Sequence, residues 1–272
     1  MKLYILLFLL MVISYTSFSQ SKVRLYSVKS NNKTVLYAEN FEVCAVSVVV
    51  TLALNNMVSS NGLNTATYII PKNTTQFKLT ELRAFKHGSN SYTYTYTKFY
   101  GDIFLHIDDD EYVYDLPFKK GLGFKISQGY NGNFSHKNEN ALDFDMPTGT
   151  DILAAREGVV VAIVDTNFGA CLSEACKKKA NYILIQHPDG TFGYYAHIQY
   201  HGAKITVATM VNKGDIIASS GNTGYTAGPH LHFMCFLPRE DGRESLATKF
   251  RINNGNKSVY LHEGEFYKRR YN

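Results

Sequence analysis

Helical periodicity is scarce in this chain, no second long apolar run follows the first, and no stripe of Lys and Arg interrupts it. The first lack argues against a helical bundle, because amphipathic helices need apolar residues three and four apart. The second leaves one stretch, Leu3 to Ile13, as a membrane-seeking segment, and that run is too short for a comfortable span. The third argues against a nucleic-acid partner: 28 Lys and Arg against 23 Asp and Glu leave a formal charge of +5 without a cluster. Internal repeats and low-complexity tracts are also missing. With 19% charged and 45% hydrophobic residues the chain is globular and not disordered. Its mild basic excess suits an anionic polymer such as a cell wall, and suits ordinary solubility equally well.

The 272 residues leave room for two modest domains. MKLYILLFLLMVISYTSFSQ has one Lys, an apolar run and small polar residues, the layout of a secretory signal with cleavage after Ser19. The mature protein is therefore expected to be exported, to the periplasm or the outer cell envelope, with no stable membrane insertion. No Cys follows the cleavage point, so no lipid anchor is expected. Cys171 and Cys176 lie in a polar insert and can close a small disulfide loop; Cys44 and Cys235 sit in apolar, strand-like contexts and read as buried thiols.

Strand signals run throughout: VCAVSVVVTLAL, TATYII, YTYTYTKFY, GVVVAIV, YILIQH, FGYYAHI and HLHFMCF, separated by Asn, Gly, Ser and Asp. The expected fold class is all-β. Near the acidic run Asp108 to Glu111 the character changes, and almost all the histidines follow it. The expected organisation is a signal peptide over 1–19 and an N-terminal β-sandwich-like domain over 20–112. A C-terminal antiparallel β-sheet catalytic domain with a groove follows over 113–250, and a tail over 251–272 packs on it. The acidic run reads as a solvated turn, and the Tyr92, Tyr94, Tyr96 ladder as cross-strand packing.

Three histidine-bearing segments can carry chemistry. QGYNGNFSHKNENALDFDMPTGT places His136 seven positions before Asp143, an acid inside an apolar strand that is costly to bury without a partner such as a metal ion. TFGYYAHIQY carries His197, and SGNTGYTAGPHLHF carries His230 and His232 at i and i+2, on one face of a strand. A hydrolytic zinc site takes three protein ligands and keeps a position for water. His136, Asp143 and one of His230 and His232 supply that set, with the remaining histidines free for acid–base work. Spacing alone leaves the choice within the His-x-His pair open.

In their order, SHKNENALDFDMPTGTDILAAREGVV, YYAHI and SGNTGYTAGPHLHF resemble the signature segments of the lysostaphin/LytM-type zinc endopeptidases, over roughly Leu116 to Phe236. The resemblance implies Zn²⁺ held by His136, Asp143 and His232, with His197 and His230 as catalytic histidines. Many members of the family have a shorter His-to-Asp spacing, which makes Glu139 the fallback ligand. Tyr130, Asn131 and Tyr195 are candidate substrate-binding residues, and Gln128 is a groove candidate. The implied activity is peptide-bond hydrolysis in peptidoglycan cross-links or stems. The alternatives are an exported protease acting on glycine-rich proteins and a non-catalytic wall-binding or amidase-activating module.

Overall fold

A computed structural model describes residues 22–30, 33–107 and 111–272. The expected export signal and Asp108 to Asp110 lie outside the described residues. The all-β expectation is met: strands dominate, and the one helical turn is a short 3-10 segment, Glu174–Lys179, among the described residues. No helix among them is long and apolar enough to cross a membrane.

Residues before Gly101 form two sheets. One orders Val23–Ser30, Lys33–Asn40, Thr74–Ala84 and Met57–Ser59; the other orders Thr65–Ile70, Val46–Asn55 and Ser91–Tyr100. Both contribute to one apolar cluster, with Leu25, Leu36 and Leu82 from the first sheet and Val46, Val48, Val50 and Ile70 from the second. Alternation in VSVVVTLALN produces the inward side, since β-branched residues two apart share a face. The tyrosine ladder ties the sheets together. Tyr92 Oη donates to Ser27 Oγ, Tyr94 Oη to the Leu25 carbonyl and Tyr96 Oη to the Val23 carbonyl, at 2.8, 3.1 and 3.2 Å.

The second half is built on a nine-stranded antiparallel sheet. Its central strands are Gly158–Val164, Tyr182–Gln186, Phe192–Ala196, Leu231–Arg239, Ala141–Phe144 and Gly123–Gln128, in spatial order. The C-terminal strand Phe266–Lys268 closes one edge by pairing with Gly123–Gln128, so the tail is part of the sheet. Buried Arg269 adds an ion pair to Asp115 at 3.2 Å. A large core covers one face of the sheet, centred on Tyr114, Phe144, Tyr195, Phe233 and Phe250.

A third cluster joins the halves. Cys44, Val161, Leu184 and Phe192 pack together, with Tyr100, Tyr194 and Phe236 against them. A Cβ at Gly101, where φ is +81°, would meet the Phe192 ring at 2.7 Å, so glycine is required both for the turn and for the close approach. Cys44 and Cys235 are buried thiols outside the disulfide, and Cys171 and Cys176 form a disulfide, both as expected from the sequence.

His187, just past Tyr182–Gln186, is buried, and its Nδ1 donates to the Glu157 carbonyl at 2.8 Å. Burial, helped by the Arg156 charge, pushes its pKa down to about 4 against the opposing pull of the Glu157 carbonyl. A depressed histidine stabilises the fold fully above its unfolded value of 6.5, and that stability is lost as pH falls toward 4. His187→Gln should therefore flatten the urea-unfolding profile between these pH values, removing a slope worth roughly 3 kcal/mol in the parent protein. Parallel profiles for the two proteins would refute the assignment.

Candidate metal centre

The register of two strand pairs assembles the site. Ala141–Phe144 pairs with Leu231–Arg239 so that Asp143 lies opposite His232, and Phe192–Ala196 places Ala196 on the other side of His232. Strand alternation sends Leu231 and Phe233 into the core and turns His232 to the opposite face. Directly opposed side chains start ~5 Å apart, and His232 Nδ1 comes within 3.0 Å of Asp143 Oδ1. An isolated bridge between Gly221 and His230 fixes the chain just before this strand. His230 Nδ1 donates to the Gly228 carbonyl at 2.8 Å, which leaves Nε2 facing Asp143 Oδ1 at 3.6 Å.

His136 comes from the loop between Gly123–Gln128 and Ala141–Phe144 and is wholly buried. Its Nδ1 donates to the Gly129 carbonyl at 2.9 Å, so Nε2 is the inward nitrogen, 3.2 Å from both Asp143 Oδ1 and His232 Nδ1. Gln128 holds this loop to the Asp143 strand. Its Nε2 donates to Asp143 Oδ2 at 3.0 Å and to Ser135 Oγ at 2.7 Å, while its Oε1 accepts from the Phe134 and Ser135 amides. The tail contributes Glu263, whose Oε2 accepts from the Gly129 amide at 3.1 Å.

Three imidazole nitrogens thus converge on one buried carboxylate oxygen. Two of the rings have their outer nitrogen committed to a carbonyl, so the inward nitrogens present lone pairs. Acceptors facing acceptors need a cation or protons between them. Burial works against the Asp143 carboxylate, but hydrogen bonds from His136 and His232 outweigh it and hold the group well below the usual carboxylate range. Burial likewise opposes charge on His136, and the Asp143 carboxylate overrides it, raising His136. His136, Asp143 and His232 each offer one ligand atom, all within 4.8 Å of one another, a donor set that fits a divalent metal with nitrogen and oxygen ligands.

His197 stands beside the trio, its ring 4.5 Å from that of His230 and 5.9 Å from that of His232. Nδ1 donates to the Thr223 carbonyl at 2.6 Å. Burial, with repulsion from the neighbouring His230 and His232 rings whenever these carry protons, pushes its pKa down to about 3, so the ring is neutral near pH 7. Thr223 itself is held by Ile198 and Asn181. A cleft of about 530 Å³ opens over the group, lined by His197, His230 and Asp143. Its walls include Phe134 and Tyr225, whose rings stack at 5.6 Å and 18°. Asp145 and Glu263 form an acidic rim. The disulfide loop stands behind Tyr225, because Cys171 pairs with Tyr225 in a short parallel ladder.

Three residues expected at the site from the sequence, Tyr130, Asn131 and Tyr195, lie elsewhere in the structure, which corrects those expectations, and the fallback ligand Glu139 also lies outside it. Tyr195 is fully buried in the core and its Oη accepts from the Ala155 amide at 2.9 Å. Strand parity suggests that Tyr195 and His197 share a face, but His197 has φ +64°, and the left-handed turn breaks the alternation. Tyr130 Oη donates to the Thr248 carbonyl, and Asn131, at φ +56°, donates to Asn140 Oδ1; neither lines the cleft. Glu139 pairs with Arg243 at 3.1 Å and stays outside the trio. Sequence reasoning missed the anchoring roles of Thr223 and Gly129, and it saw Gln128 only as groove lining. A Gln at a strand end, eight residues before a histidine, carried no further signal.

Fold and site together define an all-β protein with a metal-competent His/Asp/His centre at the base of an open cleft. Residues 137–244 match the model of Peptidase family M23. The chain is 35% identical over 158 residues to the glycyl-glycine endopeptidase ALE-1 of Staphylococcus capitis, covering 52% of this chain and 39% of that protein. It is also 35% identical over 115 residues to the peptidoglycan DD-endopeptidase ShyA of Vibrio cholerae, covering 42% and 23%. The chain thus spans less than half the length of these curated relatives. Among solved structures, the catalytic domain of lysostaphin from Staphylococcus simulans aligns at 27% identity with a TM-score of 0.33, over 47% of this chain and 88% of that one.

Gln128→Ala should weaken metal retention about 10–100-fold, as loss of an outer partner does at other metal sites, measured by competition with a chelator. Gly132→Ala should act in the same direction, because its Cβ would sit 2.4 Å from Gln128 Cγ. Unchanged retention in both variants would remove Gln128 from the site's support.

Proposed function

We propose that this protein is an exported zinc metalloendopeptidase that cleaves peptide bonds in peptidoglycan cross-links or stems. The observation that carries the reading is the convergence of three imidazoles on Asp143 Oδ1 at the base of an open cleft. The named activities of the relatives support the substrate class. The residues divide into an N-terminal unit over 20–112, a catalytic unit over 113–250 and the tail that completes its sheet.

His136, Asp143 and His232 would hold the metal. When bound, zinc supplies a Lewis acid and brings the pKa of a coordinated water from ~15.7 toward ~7. His230 carries the proton: Nδ1 is fixed by Gly228 and Thr226, so Nε2 is the free acceptor over the trio. It takes a proton from the attacking water and returns one to the leaving amine. His197 is a weak base with its pKa near 3, and it serves as a neutral ring that orients water through Nε2. Extended backbone lying in the cleft meets the Phe134–Tyr225 stack on one wall, and the acidic rim favours a peptide that is not itself anionic at that end.

Purified peptidoglycan digested with the protein should yield new amine ends, and phenanthroline should abolish their appearance until zinc is restored. Activity that survives the chelator sinks the zinc reading. Cleavage confined to glycine-rich proteins, with the wall polymer left intact, would favour the protease alternative. His232→Ala should lose bound zinc and activity together. His230→Ala should keep zinc and lose turnover by about 10²–10⁴-fold, with metal content read by mass spectrometry; equal zinc loss in both would overturn the division of roles.

A further inference from the structure

The N-terminal sheets carry a second built feature, far in sequence from the metal centre. Residues 22–107 hold nine Lys and Arg against four Asp and Glu, so most of the chain's excess charge lies there. The charge gathers at one end of the first sheet. Lys33 and Arg83 are directly opposed across neighbouring strands, and Lys29 lies on the next strand, opposite Thr34. Together with Lys86 and His87 they line a cleft of about 580 Å³ that has no carboxylate in its lining. Glu81 beside it is shared among Lys33, Arg83 and Lys78, at 3.2, 2.6 and 3.6 Å. Lys29 and Lys86 have no carboxylate partner among the described residues.

Lys33 and Arg83 neutralise the buried Glu81, while Lys29 and Lys86 add further positive charge beside them, and like charges held this close repel. The cleft is nonetheless preformed. Asn56, at φ +49°, clamps the loop that bears Lys86: its Nδ2 donates to the Lys86 and Ser89 carbonyls at 3.0 and 3.1 Å, and its Oδ1 accepts from the Lys86 amide at 3.0 Å. Its own carbonyl accepts from the Phe85 amide at 3.1 Å. Phe85 is 64% exposed at the cleft, with Lys86 Nζ 5.3 Å from its ring centroid. An exposed apolar ring inside a ring of cations matches a ligand that has both a flat C–H face and negative charge.

We propose that this cleft is a binding site for an anionic polysaccharide, with Lys29, Lys33, Arg83 and Lys86 meeting its charged groups and Phe85 stacking on a sugar ring. The site is separate from the metal centre and does not depend on the reading given to that centre.

The test uses the full-length protein at low salt on four immobilised polymers: polygalacturonate, dextran sulfate, neutral dextran and polyphosphate. The first two distinguish carboxylate from sulfate as the charged group. The protein should bind one or both of them, bind polyphosphate more weakly, and pass over neutral dextran; added salt should release it. The double variant Lys29→Gln, Lys86→Gln should bind about tenfold more weakly, the loss expected from two exposed ion pairs. Phe85→Ala should erase the preference for charged glycans over polyphosphate. Thermal midpoints of both variants should match the parent protein. Binding to neutral dextran equal to that for the charged glycans, parent-like affinity in the double variant, or polyphosphate bound as tightly by the parent, would each overturn the proposal.

Discussion

Everything at the metal centre depends on the pairing of Ala141–Phe144 with Leu231–Arg239. That ladder sets Asp143 opposite His232, and the period of two along a strand does the rest. A slip of one residue would put Asp143 into the aromatic core and Leu231 or Phe233 into the cleft. The core therefore specifies the site. Phe233 and Phe144 pack on Tyr114, Phe118, Tyr195 and Phe250 with ring centroids 5.1–6.2 Å apart, and none of them can exchange faces with a histidine without leaving a void or a buried charge.

Loops then finish what the sheet begins. His136 and His197 both lie just outside regular strands, and each is aimed by one hydrogen bond from Nδ1 to a backbone carbonyl. These bonds fix the tautomers and direct Nε2 inward. The arrangement stores electrostatic tension: acceptor atoms crowd around Asp143 Oδ1, and a cation relieves what protons otherwise have to relieve. Binding of a metal is then coupled to release of protons from the histidines.

Much of this was legible in the sequence, for identifiable reasons. His-x-His within HLHF declared its own parity, and an Asp inside ALDF asked for a partner. The strand-rich composition pointed to the fold class. Tyr195 was misplaced because parity was carried through His197, whose left-handed backbone ends the alternation; nothing in YYAHI announces that turn. Tyr130 and Asn131 were expected in the groove from proximity to His136, yet the intervening turn directs one to Thr248 and the other to Asn140. The basic cleft was invisible for a different reason. Lys29, Lys33, Arg83 and Lys86 form no run in the sequence, and only the pairing of three strands brings them together.

The junction at Gly101 also fixes which face of the large sheet the N-terminal half covers. In the register of Phe192–Ala196 with Leu231–Arg239, Ala196 faces His232 and Phe192 faces Phe236, so the metal-bearing face is also the face on which Cys44 and Tyr100 pack. Four residues separate His232 from Phe236, roughly 13 Å of strand. Along that direction the sheet face is covered by packed side chains of the N-terminal half, none of whose described residues lines the cleft.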